Sequence, residues 1–163
     1  MPDLYIDWKQ YHQCIEQLAI KIHRSFWQFD QIVCLAKGGL RIGDTLSRIY
    51  QKPLAILFAA SYGGSDNRTQ QQLKFSQHLA MLEDNLGKHI LLVDDLADSG
   101  ITLSSSVNWL KERSNIQEIR TAVLWYKSCS LVIPDYYVDY LPNNPWIHQP
   151  FEHYEKFSIL LDK

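Results

Sequence analysis

Four short apolar runs, separated by stretches with helical periodicity, constrain the fold of this chain more than any other feature. Rich in Val, Ile and Leu, they lie at residues 32–35, 54–58, 90–93 and 122–125. Runs of this kind are typical of strands that are buried on both faces of a sheet. Helix-like stretches lie at residues 44–50 and 102–113. The alternation predicts an α/β fold in which helices flank a central parallel sheet.

The N-terminal segment has the pattern of an amphipathic helix. Its apolar residues recur at three- and four-residue spacing, and Asp7 precedes them as a possible cap. We expect this helix to cover one side of the sheet. The apolar positions are Tyr11, Cys14, Ile15, Leu18 and Ile22.

Size and charge limit the remaining possibilities. A chain of 163 residues, 46% of them hydrophobic, predicts a single domain over residues 1–163. A net charge of -2 without a Lys/Arg block argues against a nucleic-acid partner. The apolar runs are far shorter than the roughly 20 residues of a membrane-spanning helix, and the first residues lack a signal-peptide pattern. We therefore expect a cytoplasmic protein without an integral membrane segment, and leave peripheral membrane association open.

The cysteines and histidines give little support for a disulfide framework or a zinc site. The three cysteines are widely spaced, and the six histidines form no recognised ligand motif.

The most informative segment follows the third apolar run. Two carboxylates, Asp94 and Asp95, stand at the carboxyl end of the predicted strand, where open α/β sheets place their ligands. Ser99, Gly100 and Thr102 then lead into a helix, and small residues at a helix N-terminus can bind a phosphate through converging N–H groups. The segment therefore predicts a monophosphate site beside an acidic pair, which a ribose diol and Mg²⁺ would explain.

Two other interpretations of this segment stay open. The aspartates could simply cap the following helix, although capping accounts for one carboxylate and not for three. A generic phosphate-binding protein would leave the acidic pair without a partner. The lysine of a P-loop and the glycine pattern of a dinucleotide site are both absent from the sequence.

Residues 90–102 resemble the phosphoribosyl pyrophosphate (PRPP) signature of type I phosphoribosyltransferases: a hydrophobic run, two acids, two residues, then Asp-Ser/Thr-Gly-x-Thr. The resemblance implies that Asp94 faces the ribose, that Asp95 faces Mg²⁺, and that Asp98 is the catalytic carboxylate near N7 of a purine. It also implies the type I phosphoribosyltransferase fold. The PRPP-binding residues implied in this segment are Asp94, Asp95, Asp98, Ser99, Gly100, Ile101 and Thr102.

A second anion-binding loop is predicted after the first apolar run, where Lys37, Gly38 and Gly39 follow Ala36. Glycines permit close backbone approach, and the lysine supplies charge. Taken alone, the loop could be an ordinary glycine-rich turn. The bacterial xanthine-guanine phosphoribosyltransferases, which the chain resembles along nearly its full length, have Ser-Arg-Gly-Gly-Leu here. The resemblance implies that Lys37 and Gly38 bind PRPP, with a serine and an arginine replaced by Ala36 and Lys37.

Lys127 and Trp146 are candidates for binding a purine base. A lysine can donate to a carbonyl oxygen, and an aromatic ring can stack on a purine. Simple packing of Trp146 and a solvated Lys127 stay open. In the bacterial xanthine-guanine enzymes this region is Trp-Ile-Glu-Gln-Pro-Trp, so the resemblance implies that Trp146 and Ile147 contact the base. His148 and Phe151 depart from that pattern.

The resemblance also implies a flexible hood at about residues 60–85, in which Arg68 is a candidate pyrophosphate ligand. A small aromatic cap is expected at about 134–163. Together these features predict Mg²⁺-dependent transfer of a phosphoribosyl group from PRPP to a 6-oxopurine by a dimer or tetramer. The alternatives are a PRPP- or nucleotide-sensing regulator on the same fold and a phosphoribosyltransferase for another base.

Overall fold

The computed structural model describes residues 2–62, 72–113 and 115–161. The helices in these residues are α1 (Trp8–Arg24), α2 (Leu40–Tyr50), α3 (Ile101–Arg113) and α4 (Glu152–Leu161). The strands are β1 (Leu4–Tyr5), β2 (Gln31–Ala36), β3 (Leu54–Tyr62), β4 (Gln72–Phe75), β5 (His89–Val93), β6 (Leu96–Ala97), β7 (Glu118–Lys127), β8 (Tyr136–Leu141) and β9 (Ile147–His148).

A seven-stranded sheet forms the centre of the fold. Its long strands lie in the order β4-β3-β2-β5-β7-β8, and the short β6 continues the line of β5 along β7. Every described pair in this sheet is parallel except β3 with β4. The four apolar runs lie in β2, β3, β5 and β7. The predicted α/β fold with a central, mostly parallel sheet is confirmed.

Strands β2 and β5 are buried on both faces, as their composition predicts. Ile32, Leu91 and Val93 belong to the core that α1 and α2 cover, whereas Val33 and Leu92 face the core that α3 covers. This division follows from the two-residue period of a strand, which sends successive side chains to opposite faces. The sheet therefore lies between two helical layers.

Helix α1 begins where the sequence predicts. Asp7 accepts a hydrogen bond from the Gln10 N–H at 2.8 Å, and the Gln10 side chain accepts one from the Asp7 N–H at 2.9 Å. This reciprocal pair is a capping box, which satisfies two backbone donors at the helix start. At the other end of the helix, the Lys21 ammonium donates to the carbonyl oxygens of Tyr137 and Val138 and so ties α1 to β8.

The order in which strands are added to the sheet reverses between β2 and β5. From β2 it passes through α2 to β3 on one side, and from β5 it passes through α3 to β7 on the other. In open α/β sheets such a reversal creates a crevice at the carboxyl ends of the two strands. This topology places the candidate site.

The C-terminal region differs in part from the aromatic cap that the sequence suggests. Its first strand, β8, belongs to the central sheet and pairs with β7 from Ala122–Tyr136 to Lys127–Leu141. The pairing is parallel although residues 128–135 connect the two strands without a helix. The later elements behave differently: β9 pairs with β1 in a separate two-stranded sheet, and α4 follows it. None of the described helices is both long and apolar enough to cross a membrane.

Candidate active site

Three neighbouring strands end at the crevice, and each delivers a residue that the sequence singles out. Lys37 follows β2, Asp94 and Asp95 follow β5, and Lys127 is the last residue of β7. The strands are adjacent and parallel, so their carboxyl ends lie at the same edge of the sheet. The structure thus brings together the two loops and the strand end that the sequence predicted separately.

The two carboxylates at the end of β5 are held by backbone donors. The Asp95 N–H donates to Asp94 Oδ1 at 2.9 Å, and the Leu96 N–H donates to Asp95 Oδ1 at 2.8 Å. Burial, followed by the charge of Asp95, raises the pKa of Asp94 well above the ordinary range of an aspartate. Two adjacent carboxylates resist simultaneous ionisation. A cation or hydroxyl donors would favour the ionised pair.

The loop after β2 packs directly against this acidic pair. The Cα of Gly38 lies so close to Asp95 that a Cβ built on it would be 2.5 Å from Asp95 Oδ1. A Cβ at Gly39 would be 2.6 Å from the carbonyl oxygen of Val93. Glycine is therefore required at both positions for the loop to reach the end of β5. The preceding Ala36–Lys37 peptide bond is cis, and the Lys37 side chain is exposed.

The loop between β6 and α3 has the form expected of a phosphate site. Gly100 has a φ of 79°, a conformation that favours glycine, and α3 begins at the next residue. The Ser99 hydroxyl accepts from the Ile101 N–H at 3.3 Å. Ser99 and Ile101 are exposed and Thr102 is half-buried. The first N–H groups of a helix have no intrahelical acceptors, so this terminus can bind an anion.

Lys127, Asp98 and Trp146 form a second group beside the acidic pair. Lys127 Nζ lies 3.3 Å from Asp98 Oδ1 and 5.8 Å from the centre of the Trp146 ring. The lysine side chain is only 7% exposed, whereas that of Asp98 is 56% exposed. The Cys129 thiol donates to Asp98 Oδ1 at 3.6 Å. The aspartate is thus held on one side by a buried cation and open on the other.

Strand β9 follows Trp146 and places backbone hydrogen-bonding groups next to it. The N–H groups of Leu4 and Ile6 donate to the carbonyl oxygens of Trp146 and His148, at 2.8 and 3.0 Å. In a parallel ladder, the residue between two bonded positions turns its own N–H and C=O to the opposite side. Ile147 is that residue. Its backbone donor and acceptor therefore point away from β1.

Two of the departures from the xanthine-guanine pattern, His148 and Phe151, have local partners. His148 Nε2 lies 2.9 Å from Asp3 Oδ2, and the imidazole stacks on Tyr5 with 4.4 Å between ring centres. Phe151 packs edge-on against Tyr11 and under the guanidinium of Arg41. Both side chains therefore support the segment around Trp146 from outside the crevice.

The oxygen donors at the crevice fit Mg²⁺ when a phosphate ligand is also present. Among the described residues there is no cluster of three or more His, Cys, Asp or Glu side chains that could hold a metal alone. Mg²⁺ in phosphate-binding enzymes commonly takes one or two carboxylates and completes its shell with phosphate oxygens and water. Asp94 and Asp95 supply carboxylates of that kind, and the α3 N-terminus is placed to hold a phosphate.

The predicted hood lies only partly within the described residues. Its two flanks, β3 and β4, pair antiparallel at the edge of the sheet, from Ala59–Phe75 to Tyr62–Gln72. A cavity of about 490 Å³ lies between this hairpin and Lys37, with Phe58 and Ser76 in its wall. Arg68 falls outside the described residues.

One residue that the structure brings into the site was missed by the sequence reasoning. Gln149 is buried and its Nε2 donates to Asp95 Oδ2 at 2.6 Å. Its position within the Trp146–Phe151 segment was the available signal, because that segment resembles a family motif.

Comparison with known proteins decides the family. A family model described as a phosphoribosyl transferase domain matches residues 7–156. The chain belongs to this family. Its fold is accordingly the type I phosphoribosyltransferase fold, and the resemblance seen in the sequence is confirmed.

Individual relatives agree with the family assignment. A purine phosphoribosyltransferase from Pyrococcus horikoshii superposes with a TM-score of 0.77 at 30% identity, covering 93% of this chain and 94% of that one. The xanthine-guanine-hypoxanthine phosphoribosyltransferase of Helicobacter pylori gives 0.79 at 20% identity, covering 98% and 99%. A hypoxanthine/guanine phosphoribosyltransferase of Methanopyrus kandleri is 29% identical over 104 residues, 61% of this chain. That match spans 56% of the curated relative's length.

Proposed function

We propose that this protein transfers the 5-phosphoribosyl group of PRPP to N9 of a 6-oxopurine, with release of pyrophosphate. Guanine, hypoxanthine and xanthine are the candidate bases, and purine salvage is the corresponding role. The observation that carries the proposal is the buried Lys127 paired with the exposed Asp98, next to the acidic pair that ends β5. The purine-specific names of the relatives support the same class of base.

The base side of the site suits a 6-oxopurine. Lys127 donates only, so it favours a carbonyl at C6 and disfavours the amino group of adenine. Trp146 offers an aromatic face to the ring, and the outward backbone groups of Ile147 can pair with the edge at C2. A base in this position would have its N7 near Asp98.

The phosphoribosyl side supplies the anion contacts. In our proposal the 5′-phosphate binds at Ser99–Thr102 at the start of α3, the ribose hydroxyls donate to Asp94, and pyrophosphate binds at Lys37 and Gly38. Asp95 would hold the Mg²⁺ that accompanies PRPP. A Mg²⁺ ion held there would supply positive charge to offset the negative charge on the departing pyrophosphate.

The reaction exchanges one bond at C1′ for another. The bond from C1′ to the pyrophosphate oxygen breaks, a bond from C1′ to N9 forms, and the neutral base must lose one proton. Asp98 is placed to accept that proton from N7 as a general base. Closure of the hood region would exclude water, which would otherwise attack the oxocarbenium-like ribose.

An assay of pyrophosphate release tests the proposal. PRPP and Mg²⁺ are supplied with guanine, hypoxanthine, xanthine, adenine or uracil in separate reactions, each repeated with a chelator. We expect pyrophosphate with one or more of the 6-oxopurines and none when the metal is chelated.

Two results would contradict the proposal. Turnover with adenine or uracil alone would assign a different base. No turnover with any base, while calorimetry shows PRPP bound to the folded protein, would instead favour a PRPP-sensing regulator on this fold.

A further inference from the structure

We infer that Gln149 is a positioning residue that fixes the Asp95 carboxylate for PRPP and its metal, and thereby joins the base-binding segment to the phosphoribosyl site. This inference rests on the proposed function. It adds a residue to which neither the family signature nor the sequence pattern assigns a role.

The first support is the geometry around Asp95. Gln149 Nε2 donates to Asp95 Oδ2 at 2.6 Å, while the Leu96 N–H donates to Oδ1 at 2.8 Å. Gly38 packs against the carboxylate so closely that no side chain fits between them. Each oxygen therefore has one fixed donor, and the plane of the carboxylate is set. The remaining lone pairs are left for a ligand in the crevice.

The second support is the environment of Gln149 itself. The residue is 8% exposed, and its Oε1 is buried without a hydrogen-bond partner among the described residues. A buried amide oxygen without a partner destabilises the folded protein. A methionine of similar length would avoid that cost. The Nε2 bond to Asp95 is therefore the contact that distinguishes glutamine from an apolar residue at this position.

The polar environment beneath Asp95 extends to Tyr11. The Tyr11 hydroxyl is also buried without a described partner. Burial, followed by the charge of Asp95, raises the pKa of this hydroxyl above its usual range. Unpartnered buried polar groups are uncommon in proteins and occur preferentially where function requires them. Of the two such groups among the described residues, the Gln149 amide is hydrogen-bonded directly to Asp95.

The third support is the position of Gln149 in the chain. Trp146 and Ile147, the proposed base-binding residues, precede it by three and two positions. The carbonyl oxygens of Trp146 and His148 accept hydrogen bonds from the N–H groups of Leu4 and Ile6, so the segment is fixed on one side by the N-terminal strand and on the other by Asp95. A shift of this segment would therefore move the Gln149 donor away from the Asp95 carboxylate. In this way the proposed base site and the proposed phosphoribosyl site are coupled through Gln149.

Replacing Gln149 with Met tests the inference. The change keeps the length of the side chain and removes the donor to Asp95. Loss of a residue that orients a metal-binding carboxylate typically weakens metal affinity or activity by roughly 10- to 100-fold. We expect the Kd for PRPP in the presence of Mg²⁺, measured by titration calorimetry, to rise by this factor. The KM for PRPP should rise in parallel, and the KM for the base should change less, because β1 still holds β9.

Gln31 provides a matched control at the other end of the sheet. It is 2% exposed, and its Nε2 lies 3.5 Å from a Glu83 carboxylate oxygen. Gln31→Met removes this contact and also the 2.9 Å hydrogen bond that Gln31 Oε1 accepts from the Gly87 N–H. Gln31 lies about 16 Å from the carboxyl end of β2, at about 3.3 Å per residue. We expect this variant to lose thermal stability and to bind PRPP like the wild type. Gln149→Met should show the reverse, with an unchanged or higher Tm.

The results separate this inference from the proposed function. An unchanged Kd for PRPP in folded Gln149→Met would overturn the inference, even if the wild type turns over purines. If Gln31→Met weakened PRPP binding as much as Gln149→Met does, the effect would reflect a general loss of packing, and the inference would also be overturned. If the wild type binds PRPP but consumes no base, the proposed function fails, while a raised Kd in Gln149→Met alone would still support the role of Gln149.

Discussion

The two ends of strand β5 place carboxylates in opposite surroundings. At the amino end, Asp30 accepts hydrogen bonds from the N–H groups of Lys88 and His89, at 3.0 and 2.8 Å, and these bonds lower its pKa. At the carboxyl end, burial and the neighbouring Asp95 raise the pKa of Asp94. The first arrangement favours the ionised form and the second opposes it.

Glu118 follows the pattern of the amino end. It accepts hydrogen bonds from Arg120 and from the indole of Trp27, both at 2.8 Å, and the bond from Arg120 is the main cause of its lowered pKa. The amino end of the sheet thus pairs its charges internally. The carboxyl end has two adjacent acids, whose ionised forms repel each other. A bound cation and a sugar would reduce this repulsion. We therefore expect stability to depend mainly on one end of the sheet and ligand binding on the other.

Changing Asp98 to Asn should give the largest effect on activity. Loss of a general base typically lowers the rate by 10²- to 10⁴-fold, and we expect kcat to fall in this range while calorimetry shows PRPP still bound. Because Asp98 is the ion-pair partner of the buried Lys127, we also expect Tm to fall, and kcat is measured at a temperature where the variant is folded. Asp139→Asn, an exposed aspartate on β8, is the control and should leave kcat unchanged. Wild-type turnover by Asp98→Asn would remove Asp98 from the mechanism.

Changing Lys127 to Met should act mainly on the base. A hydrogen bond to a charged group contributes about 1.5–3 kcal/mol, so we expect the KM for the preferred 6-oxopurine to rise by roughly 10- to 100-fold. Discrimination against adenine should fall with it. Lys111→Met, an exposed lysine of α3, serves as the control. An unchanged ratio of kcat/KM between 6-oxopurine and adenine would show that Lys127 does not select the base.

Adding a methyl group at matched glycines compares the two ends directly. In Gly38→Ala the methyl would lie 2.5 Å from Asp95 Oδ1, and in Gly87→Ala it would lie 2.7 Å from Asp30 Cβ. Overpacking of this kind costs about 1–3 kcal/mol. We expect Gly38→Ala to raise the KM for PRPP by about tenfold, and Gly87→Ala to lower Tm without changing that KM. A raised KM in both variants would mean that the two ends are not independent.

The pH dependence of stability should have opposite signs at the two ends. Folding raises the pKa of Asp94, so its contribution to stability is greatest below the unfolded pKa of about 3.9 and is lost as pH rises through the folded pKa. Asp94→Asn should therefore raise Tm at pH 7, by about 2–4 °C for each kcal/mol regained.

Folding lowers the pKa of Asp30, so the contribution of Asp30 to stability is present at pH 7 and is lost as pH falls through its lowered pKa.

Thermal unfolding between pH 3 and 8, with chelator present, measures both effects. We expect Asp94→Asn to exceed the wild type most at high pH and Asp30→Asn to fall below it most at high pH, with the curves converging towards pH 3. Parallel curves for Asp94→Asn and wild type would show that the acidic pair imposes no cost on the folded protein.

Much of the fold could be predicted because short stretches of consecutive residues determine its strands and helices. A strand buried on both faces needs consecutive apolar residues, as in Ile90–Val93, and a capped helix needs a residue such as Asp7 at its start. The loop from Asp94 to Thr102 could be predicted for the same reason, since its acids, its glycine and its hydroxyls are consecutive. The places of Arg68 and of the hood as a whole stay predictions.

The parts that could not be predicted depend on long-range contacts. Gln149 reaches Asp95 across 54 positions, and nothing in the surrounding sequence indicates which carboxylate it contacts. Strand β8 lies within the range 134–163, for which the sequence suggests a small aromatic cap. Its pairing with β7 requires residues 128–135 to run back along the sheet without a helix, and such a connection has no local signature.

The pairing of β1 with β9 also bears on how the protein is made. Asp3 and His148, which join these strands, lie 145 positions apart, so a ribosome must add about 145 further residues before the first strand meets its partner. Domains begin to fold during synthesis, starting from the N-terminal side. Strands β2 and β5 and the loops that follow them can therefore assemble first, while the segment that we propose to bind the base joins later. A nascent chain stalled before residue 147 should accordingly retain the proposed phosphate-binding loops and lack part of the proposed base-binding segment.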